Sequence, residues 1–400
     1  MKILIVCQHF YPENFRINDI SYELVKRGND VTVLTGLPNY PKGKVLKEYK
    51  FFRNRNQVIN GVKIKRCTLV GRGNSTLMMM INYMWFAIFA SIKAMFMKKD
   101  FDLVYVYQLS PITMTWPAIV VKRMKKIPLI IHVLDQWPVS ITTGGISKKS
   151  LPYKILTRWS KNAYSKADLI TCSSKSFKNY FINELGLSKD KQFIYLPSYA
   201  EDNYKNITTK KDDTFDLVFA GNIGPAQSVE TIIEAANILK TNKDIKFHIV
   251  GDGLSMKLCQ DLKDKYKLDN VIFYGYHPVE DMPKYYKMAD AFLITMVDNE
   301  VVNSTLPAKV QSYMIAGKPI IGAISGEVSE VIKDAKCGLC CKSLDHKGLA
   351  KIILEASKSN KLTEWSKNAY NYYLEHFEKE KCLDDLEKVF KNIVEDKLNN

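Results

Sequence analysis

Two short segments carry the residues best suited to handling a phosphorylated ligand. In DLVFAGNIGPAQSVETIIEAA the apolar run Phe215–Ala220 stops at Gly221 and Gly224, and a helical stretch begins near Ser228. Glycine lets backbone approach a ligand closely, and a helix N-terminus behind such a turn attracts phosphate. In LPAKVQSYMIAGKPIIG, Pro307 suits a first helical turn, Gly317 a helix end and Pro319 the start of a strand. Lys309 falls in that first turn, where the helix dipole disfavours a cation unless an anion is bound. The same spacing also admits a solvated lysine.

Metal chemistry finds little footing. The Asp-x-Asp of Asp100–Asp102 precedes a strand-like run, which puts it on the wrong edge of a sheet and reads as a solvated turn. Cys337, Cys340 and Cys341 form the tightest cysteine group, but His346 is the one nearby residue to complete a zinc set. These thiols read instead as small core residues, so no metal and no cofactor is expected.

Elements able to position these residues alternate along the chain. Strands are expected at Lys2–Cys7, Asp30–Thr35, Val62–Cys67, Asp102–Tyr107, Pro128–Leu134 and Asp168–Ser173. A second series runs Phe215–Ala220, Ile245–Val250, Asn270–Tyr274, Ala289–Thr295, Pro319–Ala323 and Cys337–Cys341. Helices are expected at Asn18–Arg27, Lys175–Glu184, Ser228–Lys240, Met256–Tyr266 and Lys309–Ile315, with charged helix over the last forty residues. This alternation is the mark of parallel α/β sheets. The expected organisation is a domain at 1–200, a linker at 201–213, a second domain at 214–375 and a C-terminal helix at 376–400 packing back on the first. Two Rossmann-like doubly wound domains then face each other across a cleft at the C-terminal edges of their sheets, where ligands of such folds bind.

The chain has 400 residues, 58 Lys+Arg against 42 Asp+Glu and a net charge of +16, which favours polyanionic partners. No nucleic-acid-binding signature is present, so anionic lipid and diphosphate are the expected partners. MKILIVCQHF reads as a first buried strand, its apolar run being too short for a signal peptide. The eight cysteines, scattered through strand-like runs, suit reduced thiols in the cytosol.

Residues 75–92, STLMMMINYMWFAIFASI, form an uncharged run long enough to span a bilayer. Spanning would divide strands of one sheet between the two sides of the membrane and leave their hydrogen bonds open. Two readings remain for residues 75–97, a buried core helix or a helix lying in the interface of an anionic membrane. In the second, Tyr83 and Trp85 sit at headgroup level, with Arg53, Arg55, Lys63, Lys65, Arg66, Arg72, Lys93, Lys98 and Lys99 nearby. The grouping of charge favours the second reading, a monotopic protein on the cytoplasmic face of a cell membrane.

Nearly the whole chain resembles the retaining glycosyltransferases of family 4, which have the GT-B fold. The resemblance rests on QHFYPENFRINDISYELVKRGNDVTVLTGLPNYPKG, HVLDQWPVSI, ADLITCSS, AGNIGPAQS, the VGDG of Val250–Gly253 and PAKVQSYMIAGKPII. It is nearest to a subgroup that builds O-antigen, capsule and exopolysaccharide, including N-acetylfucosamine transferases. The resemblance implies a nucleoside-diphosphate sugar donor, UDP by preference, held mainly by the second domain. It implies an undecaprenyl-diphosphate-linked sugar acceptor on the first, and transfer with retained configuration without a protein nucleophile. The leaving diphosphate would itself assist the acceptor hydroxyl.

By that resemblance Gly221, Asn222, Gly224, Gln227, Gly251, Gly253, Thr305, Leu306, Pro307 and Ser312 are donor-binding, with Tyr276 and His277 at the base. Glu13, Asn14, Asn39 and Tyr40 fall on the acceptor side. Asp135, after a buried strand, stands near the reacting carbon, although an N-cap would explain it too. His132 is the family's histidine if the register shifts by a few residues, and a satisfied core residue otherwise. The departures are informative. Ser304 and Ser312 stand where many members carry two glutamates, and Asn222 and Gln227 stand where a basic pair is common. Lys309 and backbone amides around Thr305–Ala308 are the expected substitutes, with Arg16 facing the diphosphate from the other domain. Two other functions compete: a sugar-nucleotide epimerase, for which no acid–histidine pocket assembles, and a catalytically silent membrane-associated partner in a polysaccharide assembly complex.

Overall fold

Aliphatic runs without polar alternation need cover on both faces, and each such run here is the inner strand of a parallel sheet. The computed structural model describes residues 1–73, 75–97, 100–205, 207–208 and 213–398. Its contacts divide the chain into Met1–Leu196 with Leu383–Asn400, and Pro197–Cys382.

The first unit is built on eight strands: β1 (Lys2–Val6), β2 (Asp30–Thr35), β3 (Asn56–Ile59), β4 (Val62–Arg66), β5 (Leu103–Gln108), β6 (Leu129–Val133), β7 (Leu169–Cys172) and β8 (Phe193–Tyr195). Their order is β3-β4-β2-β1-β5-β6-β7-β8, and all pairs are parallel except β3 with β4. The second unit has β9 (Phe215–Ala220), β10 (Ile245–Val250), β11 (Val271–Gly275), β12 (Ala291–Thr295), β13 (Ile320–Ala323) and β14 (Gly338–Cys341). Its order is β11-β10-β9-β12-β13-β14, parallel throughout. Helices connect the parallel strands, so both units are doubly wound α/β sheets, the fold class expected from the alternation.

Three elements differ from the sequence reading. β3 pairs with β4 as an antiparallel hairpin through Asn60 and Gly61, both at positive φ, the residues a tight primed turn requires. Its outward residues are exposed, which removed the apolar signal. β8 has only three residues. The stretch Lys175–Glu184 resolves into a short helix, Phe177–Asn179, and a π-helical turn, Tyr180–Glu184.

Part of the expected linker is packed structure. Asp202–Tyr204 forms a 3-10 turn, and Tyr204 is buried against Tyr286, with ring centroids 4.7 Å apart. Residues 206 and 209–212 of that linker lie outside the described ones. The last helix, Lys379–Leu398, contributes its C-terminal part to the first unit. There Arg27 Nη1 donates to Asp384 Oδ1 at 2.5 Å and Glu387 Oε2 at 3.2 Å, and the Phe390 ring packs edge-on against Tyr105.

The apolar helix is Thr76–Met95, between β4 and β5 of one sheet. Phe86, Ala87, Ala90 and Ala94 are fully buried, whereas Leu77, Met80, Ile81, Ile88, Ile92 and Met95 are exposed, up to 67% at Leu77. At 100° per residue the exposed set falls in one stripe about 120° wide. The helix is therefore a core helix on one side and a bare apolar face on the other. The residues expected at headgroup level, Tyr83 and Trp85, are partly buried, with Trp85 Nε1 donating to Thr68 Oγ1 at 3.0 Å, and the neighbouring Phe86 is core. Arg66 is also no surface cation. It is 1% exposed, donates to Asn54 O, Gln57 Oε1 and Tyr11 O, and lies over the Tyr49 ring. Lys98 and Lys99 lie outside the described residues.

The two faces predict opposite mutational costs. Phe86→Ala should lower unfolding free energy by about 3–5 kcal/mol through cavity formation, while Met80→Ala should change it by less than about 0.5 kcal/mol. Chemical denaturation of the two variants tests the assignment.

Candidate functional site

In the second unit the site grows from the C-terminal end of β9. Ala220 closes that strand, and the Tyr313 hydroxyl holds it from both sides, accepting from Ala220 N at 3.0 Å and donating to Ala220 O at 3.1 Å. Tyr313 is fully buried and stacks on Phe292, with centroids 4.0 Å apart. Lys309 lies one helical turn earlier on Lys309–Ile315, so the same geometry delivers its side chain to the strand end. The Nζ sits 4.0 Å from the Phe219 ring centroid and beside Gly221, where a Cβ would stand 3.1 Å away. The ammonium is sealed from solvent and has no hydrogen-bond partner among the described residues. Burial lowers its pKa to about 7. A cation–π contact offsets only part of such desolvation. Of the two sequence readings, the solvated lysine is therefore overturned.

Around Lys309 the loops interlock by backbone. Ile223 N donates to Asp252 O and Ser255 N to Ile223 O. Gly251, at φ +139°, lies so close under Gly221 that a Cβ would enter the Gly221 carbonyl. Gly253 abuts Ile223 O and Asn222 Oδ1 in the same way. These two glycines thus serve loop-on-loop packing. Asn222 Nδ2 donates to Gln227 Oε1 at 3.0 Å, so the pair standing at the common basic positions satisfies itself at the surface. Thr305 Oγ1 bonds back to Val301 O and Ser312 Oγ to Ala308 O, Leu306 is buried, and Pro307 is partly exposed. After β11, Tyr276 is 75% exposed, while His277 Nε2 pairs with the Tyr285 hydroxyl at 2.6 Å.

The first unit presents a second cluster at the C-terminal edge of its own sheet. Asp135 follows β6, and Ser110 Oγ donates to its Oδ2 at 2.8 Å while accepting from Trp137 Nε1 at 3.0 Å. Burial raises the Asp135 pKa, and the Ser110 hydrogen bonds oppose that rise. Ser110 thus replaces the N-cap role that the sequence left open. Arg16 opens the helix Arg16–Lys26 with its side chain 17% exposed. Burial pushes the Tyr107 phenol up, the Arg16 charge pulls it down and Asp135 pushes it up further, so these three groups share one electrostatic neighbourhood.

His132 belongs to the core rather than to this edge. It is 5% exposed, bonds Thr171 Oγ1 at 3.0 Å, stacks against Tyr105 and Tyr107, and burial lowers its pKa to about 4.

On the expected acceptor side, Glu13 is buried and fully engaged. Its Oε1 accepts from Asn39 N at 2.7 Å and Tyr40 N at 2.5 Å, and its Oε2 pairs with His9 Nδ1 at 2.9 Å. Asn39 is also buried, donating to Leu37 O and accepting from Arg72 N. Asn14 and Tyr40 remain exposed. The sequence reading missed His9, taking it as the end of an apolar run, and Ser110. The signal for His9 was its spacing of four from Glu13 just beyond β1; Ser110 carried none.

Among the described residues no group of three His, Cys, Asp or Glu could hold a metal ion. Asp102 accepts from Lys2 N at 2.7 Å at the N-terminal edge of the first sheet. Burial pushes the thiols of Cys337 and Cys340 up to about 12.

Residues 200–372 match the family described as Glycosyl transferases group 1, and residues 15–195 match Glycosyltransferase Family 4. The chain is 23% identical over 338 residues to the putative colanic acid biosynthesis glycosyl transferase WcaI of Escherichia coli K12, covering 79% of this chain and 82% of the relative. Two solved structures share the fold. Sucrose-phosphate synthase from Thermosynechococcus elongatus has a TM-score of 0.76 at 14% identity, covering 98% of both chains. Anabaena Alr3699/HepE, in complex with UDP and glucose, has a TM-score of 0.71 at 16% identity, covering 98% of this chain and 99% of that one.

The interlocked loops give a direct test. Gly251→Ala must displace the β9 loop or unfold it, so its thermal midpoint should fall by several degrees, corresponding to about 2 kcal/mol or more. An unchanged midpoint would mean that the β9 and β10 loops do not pack as described.

Proposed function

Because the chain belongs to glycosyltransferase family 4, with two parallel-sheet α/β domains of the GT-B fold, we propose that it transfers a sugar from a nucleoside-diphosphate donor to a lipid-linked acceptor in bacterial surface-polysaccharide synthesis. The observation that carries this reading is the buried, unpartnered ammonium of Lys309 at the end of β9. A cation held there without a counter-ion is unfavourable until an anion arrives. The diphosphate of a nucleotide sugar is such an anion, and its charge grows as the glycosidic bond breaks. The side chain is preorganised, so its stabilisation is greatest in the transition state. Lys309 then does the work of the absent basic pair.

UDP as the nucleotide is supported by the fold relative solved with UDP and glucose, and polysaccharide synthesis by the colanic acid relative. The reading extends to retained configuration, an N-acetylated deoxyhexose such as N-acetylfucosamine, an undecaprenyl-diphosphate acceptor and turnover without a metal. We place the protein on the cytoplasmic face of the membrane through the bare stripe of Thr76–Met95. Phe96 caps its C-terminal end and Phe52 lines a groove with Phe89 and Ile92 of the helix, both phenylalanines more than 80% exposed, and Arg55 and Lys93 line the same groove.

Lys309→Ala should lower turnover by about 10²–10³, Lys309→Arg should keep part of it, and Arg16→Ala is the comparison. Normal turnover in Lys309→Ala with loss in Arg16→Ala would move the diphosphate to the first unit. The lowered pKa adds a sign. At pH 8 most of the free protein has Lys309 neutral, so UDP binding should draw in nearly one proton, and below pH 6 almost none. Calorimetry in buffers of different ionisation enthalpy measures this, and no uptake at pH 8 would exclude Lys309 as the phosphate ligand. A protein that binds no nucleotide at all would be the silent partner instead.

For the membrane, Ile81→Gln with Ile88→Gln should release the folded protein from phosphatidylglycerol vesicles, since each buried large apolar side chain contributes about 1.5–3 kcal/mol. Undiminished co-sedimentation of the double variant would rule the stripe out.

A further inference from the structure

The N-terminal edge of the first sheet carries a cavity that the chemistry above does not use. Pro128, Asp168 and Gln192 line it, each just before a strand (β6, β7 and β8), so it lies at the opposite edge from Asp135. Its walls are the last turns of three helices, Trp116–Lys125, Leu151–Lys166 and Lys379–Leu398, all within the first unit at this point. Its volume is about 640 Å³, a usual size for a small-molecule site. Two of its five cations cap a helix. Lys122 Nζ donates to Lys166 O and to Asp168 Oδ1, both at 2.7 Å, and Lys191 Nζ donates to the carbonyls of Ser165 and Ala167. Asp168 is used up as well, because its Oδ2 accepts from Leu129 N at 2.7 Å. Capping does not account for Arg123, Lys166 or Lys397, whose side chains make no hydrogen bond or ion pair among the described residues.

Five cations stand here against two carboxylates and two helix C-termini, each end worth about half a negative charge, which leaves a surplus of about two positive charges. The lysines feel this crowding. Burial and then the Arg123 charge lower the Lys166 pKa, and burial and then the Lys122 charge lower that of Lys191 against the pull of Asp168. Beside the cations, Ile119 and Pro128 give the cavity a buried apolar wall. A phosphate monoester matches both features, since it carries about −1.5 to −2 at neutral pH, with acceptor oxygens for a guanidinium and a carbon body for the apolar wall. We propose that this cavity binds the dianionic phosphate of a phosphomonoester through Arg123, Lys166 and Lys397, with the ester group toward Ile119 and Pro128. Because Lys397 stands on the last helix and Arg123 on Trp116–Lys125, the ligand ties the C-terminal segment to the sheet. The proposal does not rest on the sugar-transfer reading, because it shares no residue with either cluster described above.

The probe is methyl phosphate, a dianion, compared with dimethyl phosphate, which carries one charge. Both are titrated into the full chain carrying Lys309→Ala, so that the cation at the end of β9 contributes nothing. Phosphorus NMR should show the methyl phosphate resonance broadened by the protein and the dimethyl phosphate resonance much less so. Adding Arg123→Ala with Lys397→Ala should weaken methyl phosphate binding about tenfold or more, as expected for lost hydrogen bonds to charged groups, while Arg123→Lys should keep part of it. The unliganded thermal midpoint should stay within about two degrees, because the substituted side chains lie at the surface. Hydrogen exchange gives the location: methyl phosphate should slow the amides of residues 390–398 in the parent protein and leave them unchanged in the Arg123→Ala, Lys397→Ala variant. Absence of broadening in the parent, equal binding by that variant, or equal binding of dimethyl phosphate would each overturn the site. A soluble ester and a lipid headgroup share this chemistry, and vesicles of phosphatidylcholine with phosphatidic acid separate them. Equal co-sedimentation of parent and variant assigns the site to a soluble phosphomonoester, and loss in the variant assigns it to the lipid's.

Discussion

The second unit turns on the hydroxyl of Tyr313, which closes both backbone groups of Ala220 at the end of β9. A strand end normally leaves its last amide and carbonyl to solvent or to a ligand. Here one buried phenol satisfies both, tying the strand to the helix that follows Pro307 at a single fixed distance. That tie determines where Lys309 must go. One turn away, its stem follows the same path and its ammonium arrives over Phe219 with no hydrogen-bond partner among the described residues. Loosen the tie and Lys309 would swing to solvent and recover its hydration. The unfavourable placement of the charge is thus a consequence of a favourable pair of hydrogen bonds.

The first unit uses a carboxylate in a comparable way. Glu13 gathers the amides of Asn39 and Tyr40 and the His9 ring, three groups separated in sequence by up to 31 positions but adjacent at the sheet edge. An ionised carboxylate accepting several N–H groups is held far more firmly than a neutral acceptor would be. The loop of Pro38–Pro41 therefore has its conformation set from β1 and needs little secondary structure of its own. Ser110 does the equivalent for Asp135, receiving from Trp137 and giving to the carboxylate.

The fold was readable from sequence because parallel strands buried on both faces leave long unbroken apolar runs. Asp30–Thr35, Phe215–Ala220 and Ile245–Val250 have the boundaries the residues suggest. β3 escaped because an edge strand with exposed outward residues has no such run, although its Asn-Gly turn was there to be seen. The site was less readable, and for a physical reason. Whether a titratable side chain is buried, and who meets it, depends on contacts between distant segments. Lys309 showed only an awkward position on the helix dipole; its isolation from solvent needs Phe219 and Gly221. His132 looked chemical because of its type, yet the strand places it between two tyrosines. Gly251 and Gly253 resembled ligand loops, and their absence of side chains is used up by neighbouring backbone.

The departures from the family pattern then have a common logic. Asn222 and Gln227 are bonded to each other, so neither of those positions brings a cation to the β9 loop. Lys309 stands beside that loop with its Nζ sealed from solvent, and burial lowers its pKa to about 7. A pair of exposed cations attracts a diphosphate from a distance but is screened by salt and water. A single sealed ammonium attracts weakly at range and strongly in contact, because the low dielectric that destabilises it alone also strengthens its pairing. Under the proposed function, the net charge of +16 spread over the rest of the chain would supply the long-range attraction that the loop lacks. Steering and stabilisation would then be carried by different residues, and substitution of surface lysines would act on the first without touching the second.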